Sequence, residues 1–184
     1  MFALLLFAAC RTAPTLPDEG AVPPFSLTDQ TGATVTLETL AGKVWVADFF
    51  FTSCPSVCPI LTAHMAEVQA HYKDQPEVRF VSFSVDPATD QPPVLAAYGK
   101  KHGVDDARWH LLTGPVDDMK KVVVDSFKQV LDRQPAADGK PADILHGTRF
   151  VIVDRKGHIR AFVHADEPGK TTLYASVDAL LAER

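Results

Sequence analysis

The chain has 184 residues and a formal charge of −5; 46% of it is hydrophobic and 22% charged, the balance of an ordinary globular domain. A chain of this length buries a core without metal or disulfide staples, so its three cysteines need another explanation. No run of lysine or arginine is longer than two, which argues against a nucleic-acid surface.

Met1 to Cys10 reads MFALLLFAAC, an apolar run too short to span a bilayer and similar to the hydrophobic region of a secretory signal. Ala8 and Ala9 before Cys10 resemble the cleavage box of bacterial lipoproteins, which implies export and a lipid on Cys10. Arg11 to Pro24 holds Pro14, Pro17, Pro23 and Pro24 and no apolar period, the pattern of a tether. The folded domain is expected over 25–184.

Phe25 to Leu37 alternates apolar and polar residues around Gln30-Thr31-Gly32 and predicts a β-hairpin. Val44 to Phe51 (VWVADFFF) is a continuous β-prone run, suited to a strand buried on both faces. Cys58 to Tyr72 has a helical stripe of Ile60, Leu61, Met65 and Val68, and Val78 to Val85 is a second buried strand. Strand, helix and strand in this order predict a right-handed βαβ unit. Further helices are expected over Pro93–His102, Asp117–Phe127 and Thr171–Glu183, a strand at Trp109–Leu112, and a loop at Pro135–Pro141. Thr148–Asp154 and His158–Val163 read as strands joined at Arg155-Lys156-Gly157. The sum is an α/β domain with a mixed central sheet flanked by helices.

Cys54 and Cys58 stand at the junction of a buried strand and a helix, four positions apart and so on one helical face. A helix N-terminus favours thiolate, the form that attacks disulfides and binds soft metals. So short a loop gains little from a structural disulfide. Two thiols alone point to redox exchange, whereas two thiols with a converging histidine point to metal. Thiolates select Cu(I), imidazole also suits Cu(II), and a structural zinc site would want a fourth ligand.

Seven histidines are available. His146 stands out, at the end of a long polar loop just before a strand, where a side chain can lie over the strand ends beside Cys54. His64 and His71 read as solvated, His102 as a helix C-terminal cation, and His110 and His158 as strand or hairpin residues. His164 with Asp166 and Glu167 forms a fainter second metal candidate.

Phe51 to Pro59 (FTSCPSVCP) resembles the signature of the Sco/SenC copper-chaperone family. Ser84-Val85-Asp86-Pro87 with Asp90, Leu111-Leu112-Thr113-Gly114, and Leu145-His146-Gly147-Thr148 with Asp154 and Gly157 resemble its remaining motifs, in family order. Ala88 and Thr89 stand where charged residues are common, and Gly147 where serine is frequent. The resemblance implies a thioredoxin-like fold outside the cytoplasm, anchored through the N-terminus on the periplasmic face of a bacterial inner membrane. It implies one copper, Cu(I) or Cu(II), held by Cys54, Cys58 and His146, with Asp86 near the site either as a supporting residue or as a turn residue before Pro87. The implied partner is subunit II of cytochrome c oxidase, whose binuclear copper centre needs loading; other periplasmic copper or thiol-redox proteins are further candidates. Such a protein is a carrier, without turnover of a substrate. A thiol-disulfide oxidoreductase acting on the oxidase cysteines through Cys54 and Cys58 is the alternative. A peroxidase would use Thr52 but lacks a nearby arginine in sequence.

Overall fold

The computed structural model describes residues 15–127, 132–133, 144–145 and 148–183. A hairpin of β1 (Ser26–Thr28) and β2 (Thr34–Thr36) precedes β3 (Val44–Phe50), the long apolar run, in which all seven residues are buried. Helix α1 (Val57–His71) leads to β4 (Val78–Ser84), and α2 (Pro92–His102) leads to β5 (Trp109–Leu112). After α3 (Val116–Lys120) come two-residue strands β6 (Asp132–Arg133) and β7 (Ile144–Leu145), which pair with each other. Strands β8 (Arg149–Val153) and β9 (Ile159–His164) then form a hairpin, and α4 (Glu167–Ala182) closes the domain.

The central sheet has the order β5-β4-β3-β8-β9. Strand β3 is central, with β4 parallel on one side and β8 antiparallel on the other, which is why its sequence alternates no polar face. Val44, Val46 and Phe50 point into a layer shared with Met65 and Val68 of α1, Leu95 of α2 and Leu173 and Val177 of α4. Trp45, Ala47 and Phe49 point the opposite way, into a layer closed by Leu27 and Val35 of the hairpin and by Met119, Val122 and Phe127. Each fully buried Val, Leu, Met or Phe side chain among them stabilises the fold by roughly 1.5–3 kcal/mol. In the parallel register Asp48 lies opposite Ser82 and Phe50 opposite Ser84. The loops after β3 and β4 therefore emerge side by side.

Three segments depart from the sequence pattern. The helix expected over Asp117–Phe127 runs as α3 to Lys120 and then widens into π-type turns over Lys121–Ser126. The wider winding brings Val122 and Phe127, five residues apart, onto the same apolar layer. Helix α4 begins at Glu167, not Thr171, because the Asp166 carboxylate caps it by accepting the Gly169 amide at 2.7 Å, with a proline in its first turn. Residues 19–22, in the proline-bearing stretch, lie along the edge of the sheet: the Glu19 amide donates to the Ile159 carbonyl, the Ile159 amide to the Gly20 carbonyl, and Val22 is buried. This pairing covers the edge of β9. The loop expected over 135–141 lies outside the described residues. Among those described, no helix is long and apolar enough to cross a membrane.

Candidate metal centre

The site forms where β3 ends and α1 begins. The Cys54 amide donates to the Phe51 carbonyl at 3.2 Å, turning the chain off the sheet. Ser56 occupies the N-cap of α1, yet its side chain makes no capping bond. The Cys54 sulphur accepts the Cys58 amide at 3.4 Å instead, so a thiol sits where a capping oxygen usually does. Cys54 is 9% exposed and Cys58 is fully buried beneath it, and both are thiols, not a disulfide. Pro55, Ser56, Pro59 and Ile60 form an exposed, uncharged rim.

The two thiols are electrostatically unequal. Burial pushes the Cys54 thiol up, but hydrogen bonds from the Cys58 thiol and from the amides of Ser56, Cys58 and Val57 outweigh it and hold Cys54 below the ordinary thiol value. Cys58 goes up, first through burial, then through its hydrogen bond to Cys54 and the nearby charges of Cys54 and Asp48. Cys54 is thus the outer, thiolate-prone sulphur, and Cys58 is the inner sulphur that keeps its proton until a cation or a disulfide partner takes its place.

Asp48 lies beneath this pair and is 1% exposed. Burial pushes its carboxyl up to about 7, the Ser82 hydroxyl opposite only partly offsets this, and neither oxygen reaches a partner in hydrogen-bond geometry. Tyr98 packs against the same region, its phenol 2.7 Å from the Thr62 hydroxyl and raised to about 12, chiefly by burial. The sequence offered one signal for Asp48, a lone carboxylate inside VWVADFFF.

Asp86 stands half-buried at the end of β4. Its carbonyl accepts the amides of Thr89 and Asp90, and its own amide donates to the Ser84 hydroxyl, so its backbone builds the turn before α2. The buried acid of this motif is Asp90, at 0% exposure, which accepts hydrogen bonds from Thr52 and Ser84. His146 and Cys10 lie outside the described residues. The remaining histidines have local partners or open positions. His64 meets the Ala165 carbonyl at 2.8 Å, His71 stacks on Tyr174, and His102 packs on Tyr98. His110 pairs with Asp29 and His158 with Asp18. His164 is exposed, while its proposed companions are engaged: Asp166 caps α4 and Glu167 pairs with Lys170. Among the described residues, no group of three or more His, Cys, Asp or Glu side chains is placed to hold a metal ion. What they supply is two soft sulphur donors in one helical turn, one already thiolate-prone, which suits a soft ion such as Cu(I).

The model of one protein family, SCO1/SenC, matches residues 14–182. Three solved structures resemble the chain over nearly its whole length. A SCO1/SenC family lipoprotein from Bacillus anthracis is 33% identical, with a TM-score of 0.77, over 93% of this chain and 98% of its own. BsSco, a member of the Sco family of cytochrome c oxidase assembly proteins in which a disulfide switch was identified, is 30% identical with a TM-score of 0.77, over 95% of this chain and 100% of its own. ScoI of Bradyrhizobium japonicum, solved with copper bound, is 29% identical with a TM-score of 0.72, over 85% and 98%. The thioredoxin-like arrangement expected from the motifs is the fold observed.

Proposed function

This chain belongs to the SCO1/SenC family, and we propose that it is a copper carrier that takes up one ion through Cys54, Cys58 and His146 and delivers it to the binuclear copper centre of cytochrome c oxidase subunit II. The observation that carries this reading is the Cys54 sulphur seated on the Cys58 amide at the start of α1. That placement gives one thiolate-prone ligand that is 9% exposed and a second, fully buried, directly behind it. The copper-bound state of the Bradyrhizobium japonicum relative and the assembly role of BsSco support it.

Copper is the cargo. Cys54 meets the incoming ion, Cys58 gives up its proton as the second sulphur binds, and His146, three residues before β8 in sequence, completes the site. Because Cys54 is near the surface and its rim is uncharged, a partner's ligands can replace it one at a time. Two-electron oxidation of the pair by a partner disulfide, itself reduced to two thiols, would form a Cys54–Cys58 disulfide, remove both thiolates and release copper, so that redox state gates metal state. Cys10, lipidated after export, anchors the protein through the residues ahead of the 19–22 pairing on the edge of β9, with the domain facing the periplasm; Asp86 supports docking at the site.

One observation favours a second reading. A low outer thiol and a high inner thiol are the order in which a thiol-disulfide reductase uses its cysteines. Cys54 thiolate would attack a partner disulfide and displace one thiolate. Cys58 would then attack the mixed disulfide, so that two electrons pass to the partner and a Cys54–Cys58 disulfide remains. Anaerobic titration of the reduced, metal-free protein with Cu(I) and Cu(II), with His146→Ala in parallel, separates the two. One equivalent bound, weakened in the variant and lost on oxidation, is the outcome expected of the carrier. No stable copper, with ready exchange against a disulfide substrate, would make the protein a reductase.

A further inference from the structure

Beside the cysteine turn lies a buried carboxylate that the ligand set does not use. Asp90 is completely enclosed, and its oxygens receive three donors: the Thr52 amide at 3.2 Å, the Thr52 hydroxyl in a short bond, and the Ser84 hydroxyl at 2.6 Å. Ser84 in turn receives the Asp86 amide at 3.1 Å, and the Asp90 amide donates to the Asp86 carbonyl at 2.9 Å. One side chain thus ties the end of β3 to the end of β4 and to the start of α2, across 38 residues of sequence. Thr52 is held by both its main chain and its side chain. Two residues later comes Cys54, whose sulphur accepts the Cys58 amide at 3.4 Å, so the turn that carries Cys54 decides whether its sulphur meets the first turn of α1.

We propose that Asp90 is a positioning residue of the copper site: through Thr52 it fixes the turn that presents the Cys54 sulphur to the first turn of α1. A loop anchor needs one hydrogen bond, whereas here a charged acceptor is buried at a cost and fully occupied by two residues of the strand ends that flank the site. The site is shallow and its outer ligand lies on a turn, so ligand geometry depends on what holds that turn. The inference rests on the copper-carrier reading for its metal consequence, but its metal-free consequence stands on the thiol pair alone. With Thr52 released, the Cys54 thiolate loses its alignment with the α1 amides, and the dithiol becomes less stable relative to the disulfide.

The test compares Thr52→Val, Thr52→Ser and Asp90→Asn in the full chain. The first readout is the equilibrium of the Cys54–Cys58 pair against glutathione. The equilibrium constant for reducing the disulfide is expected to fall by about three- to ten-fold in Thr52→Val and Asp90→Asn, with Thr52→Ser close to wild type. A purely structural anchor destabilises both redox states alike and leaves this equilibrium where it is. The second readout is the thiolate-to-Cu(II) absorption band, expected to shift in the same two variants, with copper affinity lowered by about ten-fold. Should Asp90→Asn not fold, Thr52→Val and its rescue by serine carry the test. An unchanged redox equilibrium and absorption band, with only a lower melting temperature, would overturn the proposal. A wild-type protein that takes up no copper while the redox equilibrium moves as expected would sink the carrier reading and leave the positioning role standing.

Discussion

The two faces of the central sheet are built from the same strands and obey different rules. The face covered by the β1–β2 hairpin and the segment after β5 is aromatic and dry: Phe83 stacks on Phe49, meets Phe25 edge-on and tilts against Phe127. The face covered by α1, α2 and α4 is equally buried, yet toward the strand ends it carries Asp48, Ser82, Ser84, Asp90 and both cysteines. One face concentrates packing energy and the other spends some of it on polar groups near the sulphurs. Side-chain parity along β3 sets Asp48 and Phe49 on opposite faces, one residue apart.

Substitutions on the two faces should therefore differ in size and in sign. Phe83→Ala removes the centre of the aromatic cluster and is expected to cost about 3–5 kcal/mol by chemical denaturation, with the Cys54–Cys58 redox equilibrium unchanged. A loss under 1 kcal/mol would mean that the two faces do not differ as described.

Asp48→Asn should act in the opposite direction. Unfolded, Asp48 has a pKa near 3.9; folded, burial raises it to about 7. Below the unfolded value both states hold the proton and its ionisation adds no cost. As pH rises toward 7 the unfolded chain releases a proton that the folded chain retains, so stability falls across that window by up to about 4 kcal/mol. The asparagine variant removes this slope and is expected to be more stable at pH 7 by on the order of 1–3 kcal/mol, after the cost of an unpaired amide. Urea unfolding at pH 4, 5.5 and 7 measures it; a variant less stable than wild type at pH 7 with the slope intact would show that the carboxyl is satisfied.

The smallest expected effect comes from a polar group that has its partner. Ser82 accepts the Trp109 indole N–H at 2.8 Å within the same layer. Ser82→Ala leaves that donor buried and unpaired and should cost about 1–2 kcal/mol, visible as a lower denaturation midpoint with an unchanged m-value.

The strands and helices that form the site were legible because each is long and strongly patterned. The run Val44 to Phe51 suits a doubly buried strand, observed over Val44–Phe50, and Cys58 to Tyr72 carries its own helical stripe. The cysteines, their spacing and their place at a helix start were readable for the same reason. Local pattern did not reveal the start of α4, where Pro168 and Gly169 look like a break but serve as a first turn capped by Asp166. It missed the π-type winding, because three consecutive valines fit more than one helical pitch. It also missed the clamp on Thr52, since Asp90 acts from 38 residues away and no period in either segment encodes the contact. Asp86, singled out from the same motif, is the turn's backbone partner, while the buried charge belongs to its neighbour four residues on.

Copper transfer, as proposed, can be followed by mixing the copper-loaded full chain with the metal-free, reduced copper-binding domain of cytochrome c oxidase subunit II and recording the absorption of the binuclear centre. If the chain is a carrier, the centre forms as the donor loses its copper, and it does not form when the donor is His146→Ala. Copper that stays on this chain, while the metal-free reduced protein readily opens a disulfide in the oxidase domain, would rule the carrier proposal out.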